Sequence, residues 1–261
     1  MDEMQLERSG PIASLRLNRP DQRNALSLAL IEALTEAVEA LSAVASLRVI
    51  VLSGKGPHFC AGADIGWMRA SADLDEVENR REAATLARLF AALDGSPKAV
   101  IGDIGGAAIG GGAGLVALCD YAIASDDAFF RFSEVRLGLL PAVISPYVLA
   151  KLGPSATRAA FTSGEGFNAA RARELGLVHE VVTPTEREAA VERMTSAYLA
   201  CAPGAVAETK ALLRRLVHAP PAGPAEVIAL TIEALAARRV TPEARQGLAA
   251  FLAHETPPWL L

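Results

Sequence analysis

Short apolar runs typical of strands alternate with longer segments of helical periodicity over most of the chain. The run RVIVLSG at 48–54 is rich in β-branched residues and ends at a glycine, which indicates a buried strand. Before it, residues 28–45 carry apolar side chains at helical spacing. Beyond residue 184 the pattern is almost wholly helical. The chain is therefore predicted to be an α/β protein, with a core of residues 1–195 and a helical region of 196–261 that serves oligomerisation.

Charge and cysteine content argue against several classes of partner. The formal net charge is −5 and the lysines and arginines are scattered singly, so we expect no nucleic acid and no anionic membrane as partner. The three cysteines form no CxxC pair, so neither a disulfide framework nor a metal site is predicted. The start MDEMQLERSG is charged where a signal peptide needs an apolar stretch. We therefore expect a cytoplasmic protein that binds a small molecule.

The glycine-rich segment AIGGGAGLVA at 108–117 allows three interpretations: a phosphate cradle, a site for a carbonyl oxygen, or tight backbone packing. Residues 112–117 satisfy the dinucleotide pattern GxGxxG/A. Dinucleotide folds carry that turn at the first strand, however, and Glu134, the acidic residue at about the required 20-residue distance, lies in a loop-like stretch. The absence of a following Lys-Ser or Lys-Thr argues against a P-loop. The phosphate interpretation is therefore disfavoured.

Two further stretches favour the carbonyl-oxygen interpretation. FCAGADIGWM at 59–68 begins with small residues after a buried strand, so that backbone N–H groups can face a ligand, as those of the glycine cluster can. Two such donors form an oxyanion hole, which stabilises negative charge as it develops on a carbonyl oxygen. SEVRLGLLP at 133–141 adds an ionisable group, Glu134. Together these stretches predict an enzyme that acts beside a carbonyl group.

The segments LNRPDQRNALS, FCAGADI, GGAAIGGGAGL and SEVRLGLLP follow one another as in the enoyl-CoA hydratase/isomerase (crotonase) family, which the chain resembles over nearly its whole length. The resemblance implies a crotonase (ClpP-like) spiral of ββα units. It also implies that the helical C-terminal region builds a homotrimer or a homohexamer. The implied substrates are acyl-CoA thioesters, in which coenzyme A is part of the substrate, so no separate cofactor is expected.

The resemblance also assigns roles to individual residues. It implies that the backbone N–H groups of Ala63 and Gly111 form the oxyanion hole, and that Glu134 exchanges a proton with the substrate. Its substrate-binding positions fall on Arg23, Ala25, Leu26, Ala61, Asp64 and Ile65. For Arg23 a solvated loop position is an equally good interpretation. Trp67 is a candidate wall of the acyl pocket or an ordinary packing residue.

One position departs from the pattern of hydratases with two glutamates, since Gly114 stands where the other glutamate is expected. A single carboxylate is compatible with a Δ3,Δ2-enoyl-CoA isomerase, with a hydratase, with thioester hydrolysis or decarboxylation, and with a non-catalytic acyl-CoA binder. GADIGWMR at 62–69 and SEVRLGLLPAVISPYV at 133–148 look like bacterial 3-methylglutaconyl-CoA hydratases. The preferred prediction is therefore a lyase that adds water across the 2,3 double bond. Arg69 would pair with the acidic acyl tail or, alternatively, only open a solvated helix.

Overall fold

The computed structural model describes residues 3–218 and 222–260. The strands are β1 Met4–Ser9, β2 Ile12–Leu17, β3 Val49–Gly54, β4 Ala99–Ile104, β5 Ala107–Ile109, β6 Tyr121–Ser125, β7 Phe129–Arg131, β8 Gly166–Asn168 and β9 Glu180–Val182. The helices are α1 Leu28–Ala43, α2 Ile65–Ser71, α3 Glu76–Gly95, α4 Gly111–Ala117, α5 Ser145–Ser163, α6 Ala169–Glu174, α7 Arg187–Leu199, α8 Pro203–His218, α9 Pro224–Arg239 and α10 Pro242–Ala253. Short 3-10 helices cover Pro20–Gln22, Glu134–Leu137 and Pro258–Leu260.

The main sheet has the strand order β1-β2-β3-β4-β6-β9. Only the β1–β2 hairpin within this sheet is antiparallel, and the remaining pairs are parallel. Parallel strands are covered on both faces, which is why β3 and β4 read as almost continuous apolar runs. Helix α7 packs on one face around Ala190, and the larger core lies on the other.

A second sheet of order β5-β7-β8 positions the glycine-rich turn. Ala108 of β5 also forms a parallel bridge with Cys60, so the loop after β3 is attached to this sheet. The successions β1-β2-α1, β4-β5-α4 and β6-β7-α5 repeat a ββα unit. The predicted α/β fold with a helical C-terminal region is thus confirmed. Residue 195 lies within α7, and the division at that point stays a prediction.

The helical C-terminal region leaves apolar side chains exposed. Helices α8, α9 and α10 carry more than half-exposed aliphatic and aromatic residues, namely Leu213, Val217, Ile228, Ile232, Leu235, Leu248, Phe251 and Leu252. So many exposed apolar side chains in one region are unusual for a surface that remains in contact with water. Across residues 3–218 and 222–260, no helix combines the length and the apolarity that crossing a bilayer requires.

Candidate active site

Two backbone N–H groups, those of Ala63 and Gly111, have no acceptor among the described residues. Around Ala63, the N–H of Leu26 donates to the Gly62 oxygen at 2.7 Å and that of Asp64 donates to the Leu26 oxygen at 3.0 Å. This pairing turns the Ala63 N–H away from Leu26. Gly111 is the first residue of α4, where an N–H has no intrahelical acceptor. Neither group donates to any acceptor in the described ranges.

Glycines bring these two loops into backbone contact. Gly62 has φ +92°, and a methyl group there would lie 2.8 Å from the Ile109 oxygen, just before the glycine cluster. A methyl group at Gly112 would overlap the backbone oxygen of Cys60. Only glycine fits at either contact, so the missing side chains allow the Ala63 and Gly111 turns to meet.

Glu134 lies against the same glycine cluster. It opens the 3-10 helix after β7, and its backbone oxygen accepts the N–H of Leu139 at 3.0 Å. A methyl group at Gly110 would lie 3.1 Å from Glu134 Oε1. Glu134 Oε2 is buried and has no hydrogen-bond partner among the residues that the structure describes. Burial raises the pKa of this carboxyl above its usual value, against a smaller lowering by a backbone hydrogen bond.

This arrangement combines the elements of acid–base chemistry beside a carbonyl group. Two unpaired N–H groups can hold an oxygen that gains negative charge. A half-buried carboxyl with a raised pKa can take up and release a proton closer to neutral pH than a solvated glutamate can. The structure therefore gathers Ala63, Gly111 and Glu134, while their assignment as oxyanion donors and acid–base group stays a prediction.

Asn24, which the sequence analysis missed, fixes the loop before α1 to the loop that leads to Ala63. It is fully buried with φ +55°, a conformation that asparagine tolerates better than most residues. Its Nδ2 donates to the oxygens of Lys55 at 3.0 Å and His58 at 2.7 Å. Its Oδ1 accepts the N–H of Arg19 at 2.9 Å. The sequence NRPDQRNALS shows a loop asparagine, but it does not indicate that its partners lie 31 and 34 positions away.

We expect Asn24→Ala to lower the free energy of unfolding by at least about 2 kcal/mol, because three backbone groups lose a partner in a buried setting. Thermal unfolding should detect this as a fall in Tm of about 4–8 °C. Asn79→Ala is the matched control, since Asn79 Nδ2 also donates to two carbonyl oxygens, one in an exposed and one in a half-buried setting. An equal fall for both variants would show that Asn24 has no special role.

The predicted substrate-binding residues around this loop also come together. Ala25 and Leu26 are buried, and the Ala61 N–H donates to the Arg23 oxygen at 3.0 Å. A methyl group at Gly111 would lie 3.1 Å from Leu26 Cδ1, so the Leu26 side chain borders the glycine cluster. The Arg23 side chain is exposed. Ile65 is likewise 64% exposed, close in sequence to Ala63.

The other three predicted residues have different settings at helix α2, where Asp64 is the N-cap residue and Trp67 and Arg69 lie within the helix. Asp64 accepts the Trp67 N–H at 3.1 Å and pairs with Arg19 Nη2 at 3.0 Å. Although burial opposes it, these contacts lower the pKa of Asp64. Trp67 Nε1 donates to Glu82 Oε2 of α3 at 2.7 Å, a contact that sequence spacing did not indicate. Arg69 lies in the last turn of α2 rather than opening it and is exposed, and its guanidinium makes no hydrogen bond or ion pair within the described part of the chain.

Comparisons with known protein sequences all lead to the same family. Residues 7–260 match the sequence model of the family described as enoyl-CoA hydratase/isomerase. The 2,3-dehydroadipyl-CoA hydratase of Escherichia coli K12 is 33% identical over 259 residues, 98% of each chain. Enoyl-CoA hydratase ACTT6 of Alternaria alternata is 38% identical over 215 residues, which are 82% of this chain and 70% of its own.

Solved structures of related proteins superpose on this chain over almost its whole length. An enoyl-CoA hydratase from Shewanella pealeana has a TM-score of 0.94 at 35% identity, with 98% of this chain and 96% of that chain covered. Pseudomonas aeruginosa AtuE has a TM-score of 0.93 at 31% identity, with 99% and 100% covered. The predicted crotonase fold is thereby confirmed. The chain is an enzyme that belongs to the enoyl-CoA hydratase/isomerase family.

Proposed function

We propose that this enzyme is an enoyl-CoA hydratase that adds water across the 2,3 double bond of an acyl-CoA thioester. The observation that carries the proposal is a buried carboxylate oxygen of Glu134, without a partner among the described residues, beside the glycine cluster that contains Gly111. Buried polar atoms without a partner are rare in proteins and need an explanation. A substrate whose thioester oxygen meets the N–H groups of Ala63 and Gly111, and whose C2 lies near Glu134, explains all three groups together.

In this proposal one carboxyl performs both proton transfers, the first from water and the second to C2. Ionised Glu134 takes a proton from water as the water oxygen bonds to C3, and the electron pair of the double bond moves towards the thioester carbonyl. The resulting enolate is stabilised by the two N–H groups. Protonated Glu134 then gives its proton to C2, where the enolate electrons form the new C–H bond. The product is a 3-hydroxyacyl thioester, and Glu134 is again ionised.

An isomerase is the second candidate, because Gly114 leaves no second carboxylate at that position. Glu134 would then move a proton from C2 of a 3-enoyl thioester to C4, so that the double bond shifts without addition of water. Assays with 2-enoyl and 3-enoyl thioesters distinguish the two activities. A 3-hydroxy product supports the hydratase, whereas double-bond migration alone contradicts it. Binding of coenzyme A thioesters without any turnover would instead support the non-catalytic alternative.

For the acyl group we propose an acidic tail, with 3-methylglutaconyl-CoA as the first substrate to test. The exposed guanidinium of Arg69, which pairs with no residue that the structure describes, lies on the helix that follows Ala63 and supports this choice, since a guanidinium pairs well with a carboxylate. The Escherichia coli relative is by name a hydratase of a dehydroadipyl thioester, which is also dicarboxylic. Arg23, exposed beside the Ala61 contact, is the proposed partner for a phosphate of coenzyme A.

We expect Arg69→Ala to lower kcat/KM for 3-methylglutaconyl-CoA by about 10-fold or more, as loss of a charged hydrogen bond does. The value for an apolar 2-enoyl thioester should stay within about twofold. Arg8→Ala removes the same charge from an exposed position on β1 and serves as control. Unchanged kcat/KM for the acidic substrate in Arg69→Ala would contradict the role of Arg69 without affecting the assignment of Glu134.

We also propose a homotrimer or homohexamer in which the C-terminal helices form subunit contacts. The exposed apolar side chains of α8, α9 and α10, Phe251 at 76% exposure among them, support this assembly. Burial of these side chains against a neighbouring subunit would remove a large apolar surface from water.

A further inference from the structure

Gly114 lies inside α4 in a position where not even a methyl group fits. A Cβ atom there would stand 2.5 Å from Ile144 Cγ2 and 2.8 Å from Phe90 Cε1. Both neighbours are buried, with Phe90 at 0% and Ile144 at 3% exposure. Real Cβ atoms do not approach other atoms this closely, so the volume beside Gly114 is already filled by protein.

Ile144 is held in place by the turn that precedes α5. The Ser145 N–H donates to the Ala142 oxygen at 3.1 Å, and Ser145 Oγ donates to the Pro141 oxygen at 2.7 Å. The Val148 N–H donates to the Ile144 oxygen at 3.1 Å, which continues the helix. Because the turn fixes the backbone, the Ile144 side chain has little room to retreat from α4.

Phe90 belongs to α3 and approaches the same point from the other side. Its ring lies 5.8 Å from the ring of Tyr147, so the two aromatic residues pack as one unit. Phe90 of α3 and Ile144, the residue just before α5, therefore both contact α4 at Gly114.

Position 114 lies close to the part of the glycine cluster that contacts Glu134. The Gly114 N–H donates to the Gly110 oxygen at 3.0 Å, so the two residues are one helical turn apart. A methyl group at Gly110 would lie 3.1 Å from Glu134 Oε1. A longer side chain at 114 would thus start one helical turn from the residue that borders Glu134, and Ile144 and Phe90 fill the space beside its Cβ atom.

We propose that Ile144, backed by Phe90, restricts the site to the single carboxylate of Glu134 by filling the space that a second one at position 114 would need. This inference rests on the proposed function and extends it, since it explains why Glu134 acts alone. It makes Gly114 and Ile144 a coupled pair. An acidic residue is tolerated at 114 only when residue 144 is made smaller.

Thermal unfolding of a double-mutant cycle tests the coupling. We expect Gly114→Glu to lower Tm by more than about 8 °C, as large steric conflicts in a core do. Ile144→Ala also lowers Tm, because it creates a cavity. The double variant should melt at least about 5 °C above the value that adding the two shifts gives. Gly95→Glu is the control, since a Cβ at this exposed helical glycine has ordinary contact only, 3.8 Å from Arg214 Nη1.

A milder cycle covers the case in which Gly114→Glu does not fold. Gly114→Ala with Ile144→Ala should show the same sign of coupling, because the Cβ atom alone already conflicts with Ile144. Additive shifts in both cycles, or a Gly114→Ala variant that melts like Gly95→Ala, would overturn the proposal. These readouts need no substrate, so they remain valid even if the enzyme proves not to be a hydratase.

Product analysis tests the effect on the reaction. From an unbranched 2-enoyl thioester, the Gly114→Glu/Ile144→Ala enzyme should form at least about 10-fold more 3-hydroxy product per unit of double-bond-shifted product than Ile144→Ala does. Its kcat/KM should also show a second ionisation in the pH profile. A folded double variant with an unchanged product ratio and a single ionisation would overturn the role of Ile144 in excluding a second working carboxylate.

Discussion

Replacing Glu134 with glutamine is expected to lower kcat/KM for hydration by about 10²–10⁴, the usual contribution of a positioned acid–base group. Glutamine keeps nearly the shape of the side chain next to Gly110 but cannot take a proton from water or give one to C2. The measurement is steady-state hydration followed by loss of enoyl absorbance, with the thioester at concentrations above and below KM. Retention of wild-type kcat/KM would overturn the assignment of Glu134.

The same substitution should make the protein more stable, and increasingly so as the pH rises. Burial raises the pKa of Glu134, so this carboxyl contributes stability below its unfolded pKa of about 4.3. That contribution is lost as the pH rises through the higher pKa of the folded state. Glu134→Gln should therefore gain Tm relative to the wild type as the pH rises from the unfolded pKa of the glutamate through its raised folded-state pKa.

Glu7→Gln, on the exposed edge strand β1, is the control for this pH dependence, since it makes the same chemical change at the surface. Equal and pH-independent Tm differences for the two variants would contradict a buried, uncompensated carboxylate at Glu134. If Glu134→Gln loses activity but gains stability, its carboxyl is catalytic and not structural, because removal of a structural carboxyl lowers both the activity and the stability.

Gly62→Ala is expected to lower kcat about 10²-fold, which is the effect of displacing one oxyanion donor by about 1 Å. The added Cβ would lie 2.8 Å from the Ile109 oxygen, so the loop carrying the neighbouring Ala63 N–H must move away from the glycine cluster. Its φ of +92° adds backbone strain of about 1–3 kcal/mol. Single-turnover kinetics with a saturating enoyl thioester isolates the chemical step.

Gly10→Ala separates backbone strain from the steric effect. Gly10 also has a positive φ, +55°, but a Cβ there meets nothing within 4 Å. This variant, at the turn between β1 and β2, should lose stability and keep kcat within about twofold of the wild type. Similar kcat values for Gly62→Ala and the wild type would show that the Ala63 loop does not position an oxyanion donor.

Strands and helices that bury a continuous face could be predicted from the sequence. VIVLSG and AVIGDI became β3 and β4 because parallel strands covered on both sides need unbroken apolar runs. β1 was not predicted, since MQLERS is an edge strand whose outer residues are polar. The three-residue strands β5, β7 and β8 are too short to show a period.

Within the site, residues that act through the backbone could be located from motifs, while residues that act through distant contacts could not. The small residues of FCAGAD and the glycine cluster indicated where N–H groups would be exposed. The contacts of Asn24 with His58, of Trp67 with Glu82 and of Gly114 with Ile144 each join segments that are apart in sequence. No local periodicity encodes them, because each depends on how whole elements pack.

The pairing of β6 with β9 has a consequence for how the chain is made. Every residue placed in the proposed site precedes residue 150, whereas β9, which closes the free side of β6, is Glu180–Val182. During synthesis from the N-terminus, the parts of the site can therefore assemble while β6 still presents unpaired backbone groups. Strand edges of this kind attract other chains. A chain interrupted between these points would contain every residue of the proposed site and would be prone to aggregate.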